Sequence, residues 1–157
     1  MRLWHQYLIP YLDNKRLIGQ HRECCALRGK GWGRKHSTVN YVFEHHISLL
    51  IQYHLLIIDE CRMRGFKIDE KWRDLKYRGK KCLPFKNEEI NSLIYFEHLI
   101  APSINPNYYS TEFIYPEHNP KYLLECLENL NSKNAQLING KYIEELIINL
   151  NLFGIFN

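Results

Sequence analysis

An adjacent arginine and glutamate, Arg22-Glu23, stand just before a glycine-broken basic loop. In a predicted helix, the two side chains point about 100° apart, so one can border the core while the other faces a groove. A carboxylate placed among cations can transfer protons or stabilise a cationic intermediate. The simpler interpretation is that Glu23 forms an exposed structural salt bridge, which would contribute little to stability.

The loop that follows is rich in cations and contains a tryptophan. Its cationic side chains, counting a protonated histidine, are Arg28, Lys30, Arg34, Lys35 and His36. Cations at this density suit a phosphodiester backbone, and Trp32 is suited to stacking on a base. An equally supported interpretation is that Trp32 anchors the core and the cations are solvated. The glycines match neither GxxxxGK[ST] nor GxGxxG, so we expect no nucleotide pocket.

The elements that must position these residues are predicted to be helices. Asp13 is a suitable N-cap for a first helix over residues 14–27. A second helix begins at residue 41 or 47 and ends at residue 64, with Gly65 as its stop. Three further helices are predicted over residues 87–99, 120–130 and 141–149. Loops are predicted over residues 66–86, with about one helical turn, and over residues 101–117.

This pattern predicts an all-α protein. The sequence contains no internal repeat and no long segment with β-type alternation. We therefore expect a single compact domain over residues 1–157, with four to five helices and long connecting loops.

The charge of the chain is unevenly distributed. Residues 1–81 contain 17 lysines and arginines against 8 acidic residues, whereas residues 82–157 contain 4 against 9. A basic first half suits a polyanion, although the same lysines and arginines could simply solvate one set of helices. We expect no signal peptide and no membrane span.

The five cysteines and eight histidines do not form a recognisable metal motif. The cysteines are odd in number and include no CxxC pair, which favours a reducing compartment over a disulfide framework. The histidines lack HExxH spacing, and His54 is predicted to be a core residue. We expect a cytoplasmic protein without a metal.

Three motifs resemble the pyrimidine-dimer DNA glycosylase superfamily, which is typified by phage endonuclease V. The segment Leu17–Glu23 is similar to that family's leucine-led helix with its Arg-Glu pair. Arg34-Lys35-His36 is similar to a downstream Arg-Lys-His, and Glu60–Ile68 to a Glu-Cys-x-x-Arg-Gly-Phe-x-Ile run. The opening MRLWH and the run GQHRECCALRGKGWGRKHSTV are similar to a cellular branch of the superfamily.

The resemblance implies a glycosylase with AP-lyase activity on damaged double-stranded DNA. In that family an N-terminal α-amine, here that of Met1, attacks C1′ of the sugar to form an imine. Glu23 would assist this step, and Arg22 would hold a phosphate. The reference pKa of an α-amine is about 7.7–8.0, against about 10.4 for lysine, so the amine is the better nucleophile near neutral pH. The implied DNA-binding residues are Arg2, Arg22, Arg28, Lys30, Trp32, Arg34, Lys35 and His36.

The chain departs from the family pattern at two positions. Arg2 is a bulky second residue, so Met1 should be retained, and Ala26 stands where the family's helix has a further arginine. The resemblance implies no metal or cofactor, and we expect a monomer. Two alternatives remain: a non-catalytic nucleic-acid-binding module of the same fold, and a plain interaction protein. The lesion is also open, since a cyclobutane dimer, an abasic site and an oxidised base all fit a basic groove.

Overall fold

The computed structural model describes residues 1–90 and 113–138, and these ranges contain helices and no strand. The α-helices in them are α1 (Asn14–Arg28), α2 (Ile47–Met63) and α3 (Pro120–Ser132). Short 3₁₀ helices span Gln6–Tyr11, Asn40–Glu44, Glu70–Arg73 and Asn87–Glu89. The all-α class is therefore confirmed. No helix in these ranges is long and apolar enough to cross a membrane.

The described residues fall into two units. The first contains Met1–Leu3 and residues 18–90, and the second contains Trp4–Leu17 and residues 113–138. Helix α2 and most of α1 lie in the first unit, as do the Arg22-Glu23 pair and the basic loop that follows it. That residues 1–157 form a single domain stays a prediction.

Helix α1 begins as its sequence predicts. The Asp13 side chain accepts a 2.8 Å hydrogen bond from the backbone N–H of Arg16, which satisfies one of the donors left open at a helix start. The same carboxylate forms a 2.7 Å ion pair with the Arg16 guanidinium. Leu17, Cys24 and Leu27 are buried along one side of the helix. The predicted helix over residues 14–27 is thus confirmed, with one further residue at its end.

Helix α2 is the most deeply buried helix among the described residues of the first unit. His46 caps it by accepting a 3.1 Å hydrogen bond from the backbone N–H of Ser48. At the other end, Gly65 has a positive φ of 86°, a conformation that favours glycine. Its N–H donates to the Arg62 carbonyl, and the Phe66 N–H donates to the Cys61 carbonyl, which is the Schellman arrangement. The predicted stop at Gly65 is confirmed, and the predicted start at residue 47 is the one observed.

Segments on either side of α2 are largely irregular. Residues 66–86 contain one 3₁₀ turn, Glu70–Arg73, as predicted. The Asp69 side chain caps this turn by accepting a 3.0 Å hydrogen bond from the Lys71 N–H. At residue 87 a 3₁₀ turn begins where a longer helix is predicted, and residues 91–99 of that prediction lie outside the described ranges.

Helix α3 belongs to the second unit and begins at a capped proline. The Asn119 side chain accepts a 2.9 Å hydrogen bond from the Tyr122 N–H, and Pro120 occupies the first helical position. The predicted helix is confirmed and ends at Ser132 rather than Leu130. The last predicted helix, over residues 141–149, lies outside the described ranges, as does most of the predicted loop over residues 101–117.

An aromatic cluster forms part of the core of the second unit. The His5 ring stacks on the His118 ring at 5.4 Å and meets the Phe113 ring edge-on at 5.0 Å. Burial lowers the pKa of His5 to about 4, so this imidazole is neutral near neutral pH. The buried Gln6 side chain accepts a 2.9 Å hydrogen bond from the Ile114 N–H. These contacts join the first 3₁₀ helix to the segment before α3.

Candidate functional site

The Arg22-Glu23 pair lies in the middle of α1, and the helix separates its two side chains as expected. Arg22 is exposed, whereas Glu23 is half-buried. The pair is therefore not an exposed salt bridge on one surface. One side chain faces solvent and the other turns towards the beginning of the chain.

Glu23 contacts the backbone of the N-terminal residues. Its carboxylate accepts a hydrogen bond from the backbone N–H of Arg2. It also accepts a 2.8 Å hydrogen bond from Gln20 Nε2. The same Gln20 amide donates a 2.9 Å hydrogen bond to the Arg2 carbonyl. The peptide of Arg2 is thus held on both its N–H and C=O sides by the first unit's helix α1.

The electrostatic environment of Glu23 combines burial with nearby positive groups. Burial raises the pKa of Glu23, and it outweighs the lowering effects of the N-terminal charge, the Arg2 N–H, the Gln20 amide and His36. The net result is a pKa above the usual value of a glutamate. A carboxyl group shifted in this direction is better suited to proton transfer near neutral pH than an ordinary exposed glutamate.

A buried tyrosine on α2 fixes the Gln20 amide that contacts Arg2 and Glu23. Tyr53 is fully buried, and its hydroxyl donates a 3.0 Å hydrogen bond to Gln20 Oε1. Gln20 is itself only 1% exposed. The Gln20 amide therefore uses its oxygen towards α2 and its nitrogen towards Arg2 and Glu23. Neither Gln20 nor Tyr53 was identified from the sequence.

The end of the basic loop and the residues that follow it contact the N-terminal residue. The Thr38 hydroxyl donates a hydrogen bond to the Met1 carbonyl and lies 3.2 Å from His36 Nδ1. The backbone N–H of His36 donates a 2.7 Å hydrogen bond to the Asn40 side chain. These contacts place His36 close enough to Glu23 to influence its pKa. The structure thus brings Met1, Arg2, Glu23 and His36 together.

Most of the predicted DNA-binding side chains are accessible. Arg22, Lys30, Arg34, Lys35 and His36 are exposed, and Arg2 is half-buried. Trp32 is half-buried and meets the Phe43 ring edge-on, with 5.2 Å between ring centroids. This contact partly anchors the indole while leaving some of it accessible, so its stacking on a base stays a prediction.

Arg28 departs from the expectation that it binds phosphate. Its side chain is fully buried at the end of α1. The guanidinium donates 2.9 Å hydrogen bonds to the carbonyls of Trp72, Asp74 and Tyr77, and it lies over the Trp72 ring at 5.2 Å. Burial lowers its pKa to about 10, which still leaves it charged at neutral pH. A buried cation committed to three carbonyls is not available to a DNA phosphate, so Arg28 is excluded from the DNA-contacting set.

Next to Arg28, three potential metal ligands lie together although no sequence motif indicated them. The donor atoms of His21, Cys25 and His54 all lie within 4.8 Å of one another. However, Arg28 lies 3.0 Å from His54 Nδ1, and a guanidinium can only donate. His54 Nδ1 is therefore an acceptor, which leaves the proton on Nε2, where it faces His21 Nδ1 at 2.9 Å.

The protonation of this group does not fit a metal ion. His54 Nε2 carries the proton that a ligand nitrogen would have to lose. Burial raises the pKa of the Cys25 thiol to about 12, whereas a metal binds the thiolate. The buried positive charge of Arg28 adds repulsion towards a cation. We therefore interpret the group as a hydrogen-bonded part of the core, and the predicted burial of His54 is confirmed.

Comparison with known proteins supports the resemblance seen in the motifs. Residues 1–74 match the model of the family described as pyrimidine dimer DNA glycosylase. The match includes Met1, the Arg22-Glu23 pair, the basic loop and the end of α2, and it confirms the suspected superfamily over that range. No curated protein matches the chain significantly. No solved structure does so either.

The burial of Arg28 predicts a large difference between two arginine variants. Arg28→Ala should lower the free energy of unfolding by about 3 kcal/mol or more, because three carbonyls lose their donor and a cavity forms. Arg34→Ala, at an exposed position, should change it by less than about 0.5 kcal/mol. Urea denaturation of both variants measures the difference. Equal stability losses would contradict the assignment of Arg28 to the core.

The raised pKa of Glu23 predicts a specific dependence of stability on pH. Because the folded-state pKa lies above the unfolded value, the ionised carboxyl destabilises the fold. The stabilising contribution is fully present below the unfolded pKa and is lost as pH rises through the folded pKa. Gln does not titrate, so the melting temperature of Glu23→Gln relative to wild type should rise as pH increases above about 4, the usual pKa of a glutamate. The control variant Glu44→Gln, at an exposed position, should show a much flatter difference. A relative melting temperature that falls with pH would contradict the raised pKa.

Proposed function

We propose that the chain is a DNA repair glycosylase with AP-lyase activity, which acts on damaged duplex DNA through an imine formed by the α-amine of Met1. The observation that carries the proposal is the hydrogen bond from the Arg2 N–H to Glu23, together with the effect of the N-terminal charge on that carboxyl group. These two observations support a site that contains both the Glu23 carboxylate and the α-amine of Met1. The family match over residues 1–74 supports a DNA glycosylase in general.

The proposed reaction begins with attack on the sugar. The amine nitrogen donates its lone pair to C1′, the bond between C1′ and the base breaks, and the base leaves with that electron pair and gains a proton. Opening of the sugar ring then gives a protonated imine between C1′ and the α-nitrogen. Loss of a proton from C2′ expels the 3′ phosphate oxygen and cuts the strand. Water hydrolyses the remaining imine and releases the protein.

Glu23 would act at two points in this sequence. Its negative charge stabilises the cationic imine, because it lies beside the peptide that carries the amine. Its raised pKa makes it a better proton-transfer group than an ordinary glutamate for the amine, the sugar or C2′. Gln20 fixes the carboxylate in place through its 2.8 Å hydrogen bond, so the group needs little reorganisation during the reaction.

The surrounding cations would bind the duplex. Arg22 is exposed beside Glu23 on α1, which suits contact with a phosphate next to the reacting sugar. The further proposed contacts are Arg2, Lys30, Trp32, Arg34, Lys35 and His36. Because C1′ of a stacked nucleotide is obstructed, the damaged nucleotide or its partner must leave the helix, and Trp32 is placed to stack on an unpaired base. We propose no metal or cofactor for the reaction.

Replacement of the carboxyl group tests this role directly. Glu23→Gln retains the size of the side chain but removes its charge and its ability to accept a proton. Strand cleavage of an abasic-site duplex should fall by at least about 100-fold, while duplex binding stays intact or tightens because a negative charge is lost from a cationic site. The exposed Glu44→Gln serves as the matched control and should cleave within a few-fold of wild type.

Two outcomes would contradict the proposal. Cleavage by Glu23→Gln within a few-fold of wild type would remove Glu23 from the mechanism. Salt-dependent duplex binding without cleavage by the wild-type protein, on a panel of dimer, abasic and oxidised duplexes, would favour the non-catalytic binding module instead.

A further inference from the structure

The segments after α2 differ sharply in charge balance. Residues 59–74 contain five lysines and arginines and five acidic residues, whereas residues 75–86 contain five lysines and arginines and no acidic residue. The cations of this second segment are Lys76, Arg78, Lys80, Lys81 and Lys86. We refer to residues 76–86 as the second basic loop and to residues 28–36, which also lack an acidic residue, as the first basic loop.

In the balanced segment the three arginines are paired with acidic residues. Arg64 forms a 2.9 Å ion pair with Glu60, and Arg62 lies 3.5 Å from Glu70. Arg73 forms an ion pair with Asp59. A cation that is paired with a carboxylate attracts an anionic partner less strongly. The second basic loop has no acidic residue of its own to neutralise it.

Two arginines hold the basic loops together in a reciprocal way. Arg28, which begins the first loop, donates to the carbonyls of Trp72, Asp74 and Tyr77, just before and within the second loop. Arg78, from the second loop, donates 2.9 Å hydrogen bonds to the carbonyls of Arg28 and Gly29. The Arg78 guanidinium therefore also caps the last turn of α1, where positive charge is favoured.

The two loops approach closely along their backbones. A Cβ atom added to Gly29 would lie 3.0 Å from the Arg78 carbonyl oxygen, closer than most such contacts. Lys30 follows Gly29 in one loop, and Gly79 with Lys80 follows Arg78 in the other. The lysines of both loops are thus connected to a shared contact point, at the end of the helix that carries Glu23.

The second basic loop is also closed on itself. The Phe85 N–H donates a 2.8 Å hydrogen bond to the Lys76 carbonyl, and the Phe85 side chain is buried beneath the Arg78 guanidinium at 4.6 Å. Lys80 and Lys81 are exposed between these closing residues. Because Arg78 and Phe85 fix the base of the loop, Lys80 and Lys81 are presented without a large loss of backbone freedom on binding.

We propose that the second basic loop is a further duplex-binding element, in which Lys80 and Lys81 contact phosphates that flank the damaged nucleotide. The inference rests on the proposed function, and it adds a surface beyond residues 1–74, where the family match ends. From Glu23 to Arg28 the helix rises about 7.5 Å, which corresponds to roughly two nucleotides of one strand. The loop at that end of α1 therefore suits backbone contacts outside the reacting nucleotide.

An exposed leucine in the same loop suggests an anionic lipid surface as the alternative partner to test. Leu83 is 86% exposed and lies near Lys80 and Lys81 in the chain. Lysines beside an exposed apolar residue also occur on proteins that bind anionic lipid surfaces. Duplex DNA is the better fit here, because the first basic loop and Glu23, to which the second loop is attached, belong to the range that matches a DNA glycosylase.

The test compares two double variants that change the net charge equally. Lys80→Ala/Lys81→Ala removes cations from the second basic loop, and Lys67→Ala/Lys71→Ala removes exposed cations from the charge-balanced segment. Binding to an undamaged duplex is measured by fluorescence anisotropy over a salt series. The first variant should reduce the slope of log K against log salt by about 1.8 and weaken binding roughly 50-fold at about 0.1 M salt. The control should change the slope by less than about 0.5.

The outcomes separate this inference from the proposed function. If the wild-type protein does not bind duplex DNA, both fail. If it binds and cleaves through Glu23 but the two double variants have equal slopes, only the second basic loop is excluded.

Binding to vesicles that contain phosphatidylglycerol tests the alternative lipid partner. Loss of vesicle binding in Lys80→Ala/Lys81→Ala and in Leu83→Ser, with an unchanged DNA slope, would assign the loop to a lipid surface and overturn the inference. Thermal melting confirms that each variant is folded.

Discussion

The polar side chains of Gln20, Glu23 and Arg28 on helix α1 are buried or half-buried and must be satisfied, and much of the first unit follows from that constraint. Buried polar groups without partners cost several kcal/mol, so each of these side chains fixes a neighbouring segment. Gln20 holds Arg2 and Glu23 while it accepts a hydrogen bond from Tyr53. Glu23 holds the Arg2 peptide, and Arg28 holds the carbonyls of residues 72, 74 and 77. One helix thereby organises both the N-terminal site and the attachment of a later loop.

Burial of Glu23 is unfavourable for stability but useful for chemistry. An ionised carboxylate in this position loses hydration that the Gln20 amide and the Arg2 N–H only partly replace, and the pKa of Glu23 rises accordingly. Burial has a different consequence for Arg28. Backbone carbonyls satisfy its charge, so the buried guanidinium stabilises the fold. Two charged residues of the same helix therefore have different roles, which their environments determine.

The sequence predicted the parts of the structure that depend on local signals. Asp13 and Gly65 mark helix ends through short-range hydrogen bonds and backbone conformation, and both were predicted correctly. Helix geometry predicted that the Arg22 and Glu23 side chains diverge, but not which of the two is half-buried. Long-range partners were not predictable: Tyr53 meets Gln20 across 33 positions, and Arg28 meets Tyr77 across 49. Arg28 was misassigned because a cation beside a glycine-rich basic loop has the same sequence pattern whether it is exposed or buried.

The central claim is that the N-terminal amine reacts with the sugar, and borohydride trapping tests it most directly. The protein is mixed with an abasic-site duplex and sodium borohydride between about pH 6 and pH 9, where an α-amine becomes largely unprotonated. The adduct is then digested and mapped by mass spectrometry. We expect a covalent protein–DNA adduct on the peptide that begins at Met1, and no adduct when the α-amine is acetylated beforehand. An adduct that maps to a lysine, or no adduct at any of these pH values with duplex binding intact, would contradict it.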